Sequence, residues 1–393
     1  MFLTRKEEEI LNGVRGEGLA LAMETVVKVA EVLGATRLVE ISSAHVSGVS
    51  YKNLGEEGVE FIEKLADKGL RFAVPTTVNP AGFDTCAYAK MGVGSREYQL
   101  QMRVITALSS MGAKVILSCI PYITYPPKYG DHLAWAESNA VLYANSVIGA
   151  RTNREGGPFS ILEALVGRAP YVGLHTKEGR APTIAVDMQA VREFVEEKGY
   201  YSALGYLLGS IVKTGIPLVY NPPNGLRRPS NVRLFLASVG ASSSIGLTLI
   251  EGVSPEFRRV KGLEMIDMEL KDLFEITEKW RSEEVDAIVI GCPHLSPGEL
   301  VELLNLLKGK RVNKRLMVFT SRWSIIKAAK VVRELENLGV EVYADTCMVV
   351  GDLSTLGLRS CATDSAKAAY YLTNQGYVVY LASRNELLDL ATS

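Results

Sequence analysis

The chain repeats one phrase along its length: a short apolar run, a turn built of Gly, Pro, Ser or Asn, then apolar residues spaced three and four apart. Short apolar runs read as buried strands, and the wider spacing as amphipathic helices. Residues 3–12 and 19–33 are helical on this reading, 37–41 form a first strand, and 42–55 a loop rich in Ser and Gly. A helix over 56–68 leads to a second strand at 72–75, and 76–82 (TTVNPAG) has turn chemistry. Residues 97–111 are helical and 115–119 form a strand ending at Cys119. A proline-rich loop (120–131), a helix (133–147) and a polar glycine-rich loop (149–158) follow.

The middle of the chain is plainer, with helices near 191–197 and 202–213, a strand near 217–219, and a helix, loop and strand over 234–250. From residue 270 the alternation sharpens. A helix (270–280), a strand (287–290), a helix (296–307), a strand (316–319) and a helix (324–338) precede a strand into Cys347. A helix at 365–371, a strand at 377–380 and a helix capped by Ser383 with Glu386 close the chain. Such alternation predicts an α/β fold: several parallel-sheet units with helices on both faces. The expected division is an α/β region over 1–265 and a C-terminal α/β domain over 266–393.

Residues 286–299 (DAIVIGCPHLSPGE) are the clearest case of the phrase. A buried strand runs into Gly291-Cys292-Pro293-His294. A helix then starts with Ser296 as cap, Pro297 in its first turn and Glu299 closing a capping box. Cys292 therefore falls in a strand-to-helix turn, and Cys119 and Cys347 have the same setting. In open α/β sheets, ligand sites form beyond the carboxyl ends of the strands. Singly, each cysteine reads as a small buried hydrophobe. As a set, three thiols at that edge suit an iron–sulfur cluster with one iron open to substrate. No pair is spaced CxxC, which argues against a zinc knuckle or a thioredoxin-type site. Cys361, in a loop over 352–362, is an alternative ligand, and Cys86 the weakest candidate.

Other loops carry polar chemistry. The Ser47-Gly48-Val49-Ser50 turn offers backbone N–H groups and hydroxyls that can cradle a phosphate or carboxylate, though many surface turns look alike. Asn79-Pro80 sits at an equivalent edge. Arg151, Arg154, Arg322 and Lys367 are candidate anion partners; Lys367, in a first helical turn, opposes the helix dipole, which mildly favours a ligand role, with a solvated lysine as the default reading. Glu137-Ser138-Asn139 falls inside a predicted helix, where Ser and Asn have no propensity reason to be, which suggests an inward role. Of the four histidines, His45, His132, His175 and His294, the last is two residues from Cys292 and either serves the site or is a satisfied loop histidine.

Composition narrows the classes. The 393 residues are 47% hydrophobic and 22% charged, with net charge −1. That suits a globular chain with a sizeable core and no nucleic-acid or basic membrane-binding surface. The N-terminus has no signal-peptide core, and the apolar stretch 234–250 is broken by Gly and Ser, so no membrane span is expected. Five cysteines in an unsecreted chain point to a reducing, cytoplasmic compartment.

Seven segments together, HVSGVSYKNLG, TTVNPAGFD, SCIPYITYPPKYGDHLAWAESNAV, NSVIGARTNREGGP, IGCPHLSPGEL, ADTCMVV and TDSAKAAYYL, resemble the aconitase X family, over nearly the whole chain. The length and the Cys292 loop look like its archaeal, two-chain branch. The resemblance implies an aconitase-like core without the swivelling domain, which a separate small subunit supplies in a heterodimer. It also implies a hydro-lyase with a [4Fe-4S] cluster, seen as [3Fe-4S] when the labile iron is lost. The ligands it implies are Cys119, Cys292 and Cys347. At the substrate it implies Gly48, Val49, Ser50, Asn79, Pro80, Glu137, Ser138 and Lys367. The base is expected from the small subunit. The implied reaction dehydrates (R)-5-phosphomevalonate to trans-anhydromevalonate 5-phosphate on the archaeal mevalonate route to isoprenoids. Two other readings remain: a dehydratase of another hydroxy acid such as cis-3-hydroxyproline, and a non-enzymatic phosphometabolite-binding subunit.

Overall fold

The computed structural model describes residues 1–282 and 284–393. It divides into two units, one of residues 1–81 with 94–181, the other of 82–93 with 182–393. Both are α/β, as the alternation predicts. Among the described residues no helix is long and apolar enough to cross a membrane.

In the first unit, strands Thr76–Val78, Ser43–Val46 and Leu133–Trp135 form a parallel sheet with Ser43–Val46 at its centre. Leu38–Glu40 pairs antiparallel with Arg168–Pro170. Helices Glu17–Val32, Tyr51–Asp67, Ser95–Ser110 and Gly157–Val166 supply Met23, Val26, Val59, Ile62, Val104, Leu108, Ile161 and Leu165 to one apolar core.

Several expectations change here. The second strand is Thr76–Val78 rather than 72–75, and those threonines are strand, not turn. All three residues are buried, where a β-branched run packs well, whereas Pro75 has no N–H for a ladder. The expected loop over 42–55 contains the central strand Ser43–Val46 and, from Tyr51, the start of a helix that bends at Gly55. The expected helix over 133–147 is a buried strand, Leu133–Trp135, followed by a shorter helix, Ser138–Tyr143. A short apolar run fits either element, and pairing with Ser43–Val46 decided it. The expected strand into Cys119 is not a strand but an extended segment held by the bridge Thr77–Lys114 and a bond from Ser118 N to Val78 O, 3.1 Å. Leu117, at φ 43°, breaks its extended path.

The second unit holds two parallel sheets. One has the order Leu249–Ile250, Pro217–Tyr220, Ile184–Asp187, Met265–Asp267. The other has the order Val340–Ala344, Leu316–Thr320, Ala287–Leu295, Ser360–Thr363, Val378–Leu381. The chain starts this five-stranded sheet at its centre, builds outward to Val340–Ala344, then returns to the other side of Ala287–Leu295. That reversal is a topological switch point, where a crevice opens beyond the strand ends. Helices Tyr201–Val212 and Pro229–Ser242 pack closely because Gly205 permits it: a Cβ there would lie 2.1 Å from Phe235 O.

Candidate active site

In the first unit, the carboxyl ends of the three strands bring together most of the residues singled out above. Ser43–Val46 leads to Ser47–Ser50, Thr76–Val78 to Asn79-Pro80, and Leu133–Trp135 to Glu137-Ser138. Cys119 follows the extended segment beside Thr76–Val78, and Asn139 Nδ2 donates to its carbonyl at 2.7 Å. Glu137 and Ser138 are not inside a helix but at its start, Glu137 as the N-cap residue.

A buried relay orders this edge. His45 is fully buried, with Nδ1 2.8 Å from Thr77 Oγ1 and Nε2 3.3 Å from Asn79 Oδ1. Asn79 Nδ2 donates to Glu137 Oε2 at 3.0 Å, so Asn79 Oδ1 is an acceptor and His45 Nε2 carries the proton. Nδ1 then accepts from the Thr77 hydroxyl. Burial pushes the His45 imidazole down to about 4, against the pull of Glu137, so it is neutral at pH 7. The chain Thr77–His45–Asn79–Glu137 thus fixes both the Asn79 amide and the carboxylate at the helix start.

The Ser47–Ser50 turn is also held from below. Gly48 takes φ 74°, a left-handed conformation that suits glycine. Gln101, fully buried, donates to Val49 O at 2.9 Å and accepts from Tyr51 N at 3.0 Å. Sequence reasoning passed over Gln101. Its signal was a polar residue in step with Val104 and Leu108 on the buried face of Ser95–Ser110.

In the second unit, Cys292, Cys347 and Lys367 lie at the carboxyl edge of the five-stranded sheet. The ladder register shifts between Ile290 and Leu295, so Gly291–His294 bulges out of the strand. Gly291 is required twice over: its φ is 116°, and a Cβ would meet Phe319 O at 2.2 Å. The expected cap is present: Ser296 accepts from Glu299 N, and Glu299 reaches back to Ser296 N at 2.8 Å. His294 is fully buried and its Nε2 donates to Thr346 O at 2.7 Å. This bond ties the Cys292 loop to the residue preceding Cys347, so His294 is a support, not a loose loop histidine.

A charge clamp holds the Cys347 turn. Asp345 sits at φ 66°, and Arg322 pairs with it at 2.8 Å and with Asp84. Asp84 also accepts from Ala344 N at 2.8 Å, and Thr85 Oγ1 donates to Asp345 at 2.7 Å. Arg322, expected as an anion partner, is committed to these two carboxylates. Lys367 is 9% exposed in the first turn of Ala366–Asn374, beside the switch point.

The five cysteines separate by environment. Cys119, Cys292 and Cys347 are 8%, 4% and 7% exposed, and none is in a disulfide. Cys361 is not in a loop. It lies in strand Ser360–Thr363, fully buried, opposite Ala287 at the amino end of Ala287–Leu295, and burial pushes its thiol up to about 12. A thiol so far from ionising, away from the carboxyl edge, is a poor metal ligand. Among the described residues no group of three or more His, Cys, Asp or Glu side chains stands ready as a metal site. The chemistry of the donors nevertheless fits an iron–sulfur group: three near-buried thiols, Cys119 after an extended segment, Cys292 in the bulge of Ala287–Leu295 and Cys347 just past Val340–Ala344.

Family models for the Aconitase X first, second and third domains match residues 1–178, 182–278 and 285–393. The chain is 39% identical to the phosphomevalonate dehydratase large subunit of Methanocaldococcus jannaschii over 384 residues, covering 95% of each chain. It is 33% identical to the cis-3-hydroxy-L-proline dehydratase of Hypocrea jecorina, covering 99% of this chain and 68% of that one. The crystal structure of Thermococcus kodakaraensis aconitase X in its holo-form superposes with a TM-score of 0.91 at 37% identity, covering 100% of both chains.

Proposed function

The chain belongs to the aconitase X family, and from that we propose that it is the large, catalytic subunit of a hydro-lyase that dehydrates (R)-5-phosphomevalonate to trans-anhydromevalonate 5-phosphate. The observation that carries the reading is the end-to-end match to phosphomevalonate dehydratase large subunits, supported by the loops gathered at the two sheet edges. A large subunit implies a small one. We take that partner to bring the swivelling domain and the general base, and the product to feed isoprenoid synthesis.

The chain's own residues then have these roles. Cys119, Cys292 and Cys347 would hold a [4Fe-4S] cluster, with His294 and the Arg322 clamp fixing the two loops of the second unit. When bound, such a cluster supplies a Lewis-acidic iron for the departing hydroxyl. The Ser47–Ser50 turn offers N–H groups and hydroxyls to an anionic end of the substrate. Asn79, locked by the neutral His45, presents a fixed amide, and Glu137 with Ser138 orients the hydroxy-acid end. Lys367 supplies a cation at a helix start, suited to phosphate or carboxylate. Removal of the proton beside a carboxylate needs a base matched to it, which this reading assigns to the partner.

The test is co-purification with the small subunit under argon and assay of phosphomevalonate dehydration. The pair should turn over phosphomevalonate and contain iron, and Cys292→Ala should lose both. Turnover of cis-3-hydroxyproline in its place would transfer the assignment to the other branch. A colourless, iron-free pair whose Cys292→Ala variant stays active would end the cluster reading.

A further inference from the structure

At the amino end of the first unit's sheet, away from the loops above, two histidines meet. His132 Nδ1 lies 2.9 Å from His175 Nδ1, with ring centroids 5.2 Å apart. His132 immediately precedes strand Leu133–Trp135, so the pair sits at the opposite end of that strand from Glu137. Three guanidiniums surround it. Arg151 Nη1 donates to His175 O at 3.3 Å, Arg180 Nη1 donates to Leu174 O at 3.3 Å, and Arg37 stacks 3.8 Å over Tyr171, whose ring neighbours His132.

The charges here are not balanced. Neither Arg37 nor Arg151 has a carboxylate partner among the described residues. Asp131 acts on His132, but its Oδ2 already accepts from Lys128 N at 2.8 Å. Two buried nitrogens lack a partner: Arg151 Nε, which is always a donor, and Nε2 of His175, which is 0% exposed. Because the two Nδ1 atoms share one hydrogen bond, one imidazole donates and the other accepts. When His132 donates, the His175 proton sits on Nε2, a second buried donor without an acceptor. Burial together with Arg151, Arg37 and Arg180 lowers His132, and burial, His132, Arg180 and Arg151 push His175 down to about 3. Two touching imidazoles would ordinarily suggest a metal cation. Three guanidiniums around them oppose one, and what the cluster lacks is an acceptor of negative charge.

We propose that His132, His175, Arg37 and Arg151 form a second anion site of this chain, at the amino edge of the sheet, that takes a small oxyanion of the phosphate class. An oxyanion supplies acceptors for the orphaned Arg151 N–H and for an imidazole N–H. It also neutralises the guanidiniums that, with burial, disfavour charge on both imidazoles, so occupancy and protonation of His132 rise together. Arg37 is exposed and His132 half-buried, which leaves an approach from solvent.

The experiment is NMR of the full chain carrying isotope only in histidine, whose four imidazoles are assigned by single His→Gln variants. Inorganic phosphate should shift the His132 and His175 resonances saturably, leave His294 unchanged, and raise the pH at which His132 protonates. Arg151→Gln should weaken this titration roughly tenfold or more, the value of one charge-assisted bond. Arg37→Ala, on an exposed side chain that endangers no core, should weaken it severalfold. Glycerol phosphate run in parallel separates free phosphate from a phosphorylated metabolite, and saturation by either supports the site. A shift reproduced by chloride at equal ionic strength, or one untouched by both arginine variants, would overturn the proposal.

Discussion

Replacing Asp84 tests the clamp that positions Cys347. Its carboxylate is 3% exposed as a residue and accepts from four groups: Arg322 Nη2, Ala344 N at 2.8 Å, Cys86 N at 2.9 Å and Ala87 N at 3.2 Å. Asp84→Ala removes all four bonds. Losing one member of a buried ion pair costs about 3–5 kcal/mol, and each orphaned N–H about 1 kcal/mol more. Two features reduce that sum. Arg322 keeps Asp345 at 2.8 Å, and its side chain is 34% exposed, so its charge is never stranded. Asp84→Ala should therefore destabilise by about 3 kcal/mol. Arg322→Leu should cost more, because it leaves two nearly buried carboxylates facing each other. Adding Asp84→Asn to Arg322→Leu should then restore stability, a reversal of sign that simple loss of packing does not produce. Urea unfolding of the wild type, Asp84→Ala, Asp84→Asn, Arg322→Leu and the double variant gives the energies, and hydrogen exchange at Ala344 N–H reports the turn itself. A cost below about 1 kcal/mol for Asp84→Ala, or additive effects in the double variant, would refute the clamp.

Further expectations follow from the same geometry. Cys361→Ala should leave iron content and dehydration intact at a small cost in stability, in contrast to Cys292→Ala; parallel loss of iron in both variants would show that Cys361 is a ligand. Gly291→Ala should destabilise by several kcal/mol, from about 1–2 for the left-handed backbone plus the clash with Phe319 O, read by thermal unfolding. His45 has a folded value of about 4 against an ordinary 6.5, so the unfolded chain binds the extra proton between them. Its contribution is complete above about 6.5 and is lost as pH falls toward 4, by about 3 kcal/mol, and His45→Gln should flatten that limb of a stability–pH curve. Glu155 runs the other way: burial lifts it to about 7, so its contribution is lost as pH rises from about 4.5 toward 7, and Glu155→Gln should remove that slope.

Much of this protein is legible in one dimension because the relevant physics is local. The capping boxes at Ser296 and Ser383 formed as read, since a cap needs only residues three apart. The parallel α/β class followed from alternation, whereas the turn expected at Cys292 is a bulge inside the longer strand Ala287–Leu295. Short apolar runs were less informative. Residues 133–135 became strand, not helix, because Ser43–Val46 offered a ladder partner, and Thr76-Thr77-Val78 left the turn class because both faces were buried. Cys361 looked like a loop thiol until pairing with Ala287 put it inside a sheet. Arg322 looked available until Asp84, some 240 positions away, met it. The relay through His45 and the Gln101 brace likewise depend on contacts between residues far apart in sequence, and so does the imidazole pair at the other end of the sheet. Periodicity and capping are properties of neighbours along the chain and can be read there. Which polar group finds which partner depends on where distant strands end, and only the folded sheet decides that.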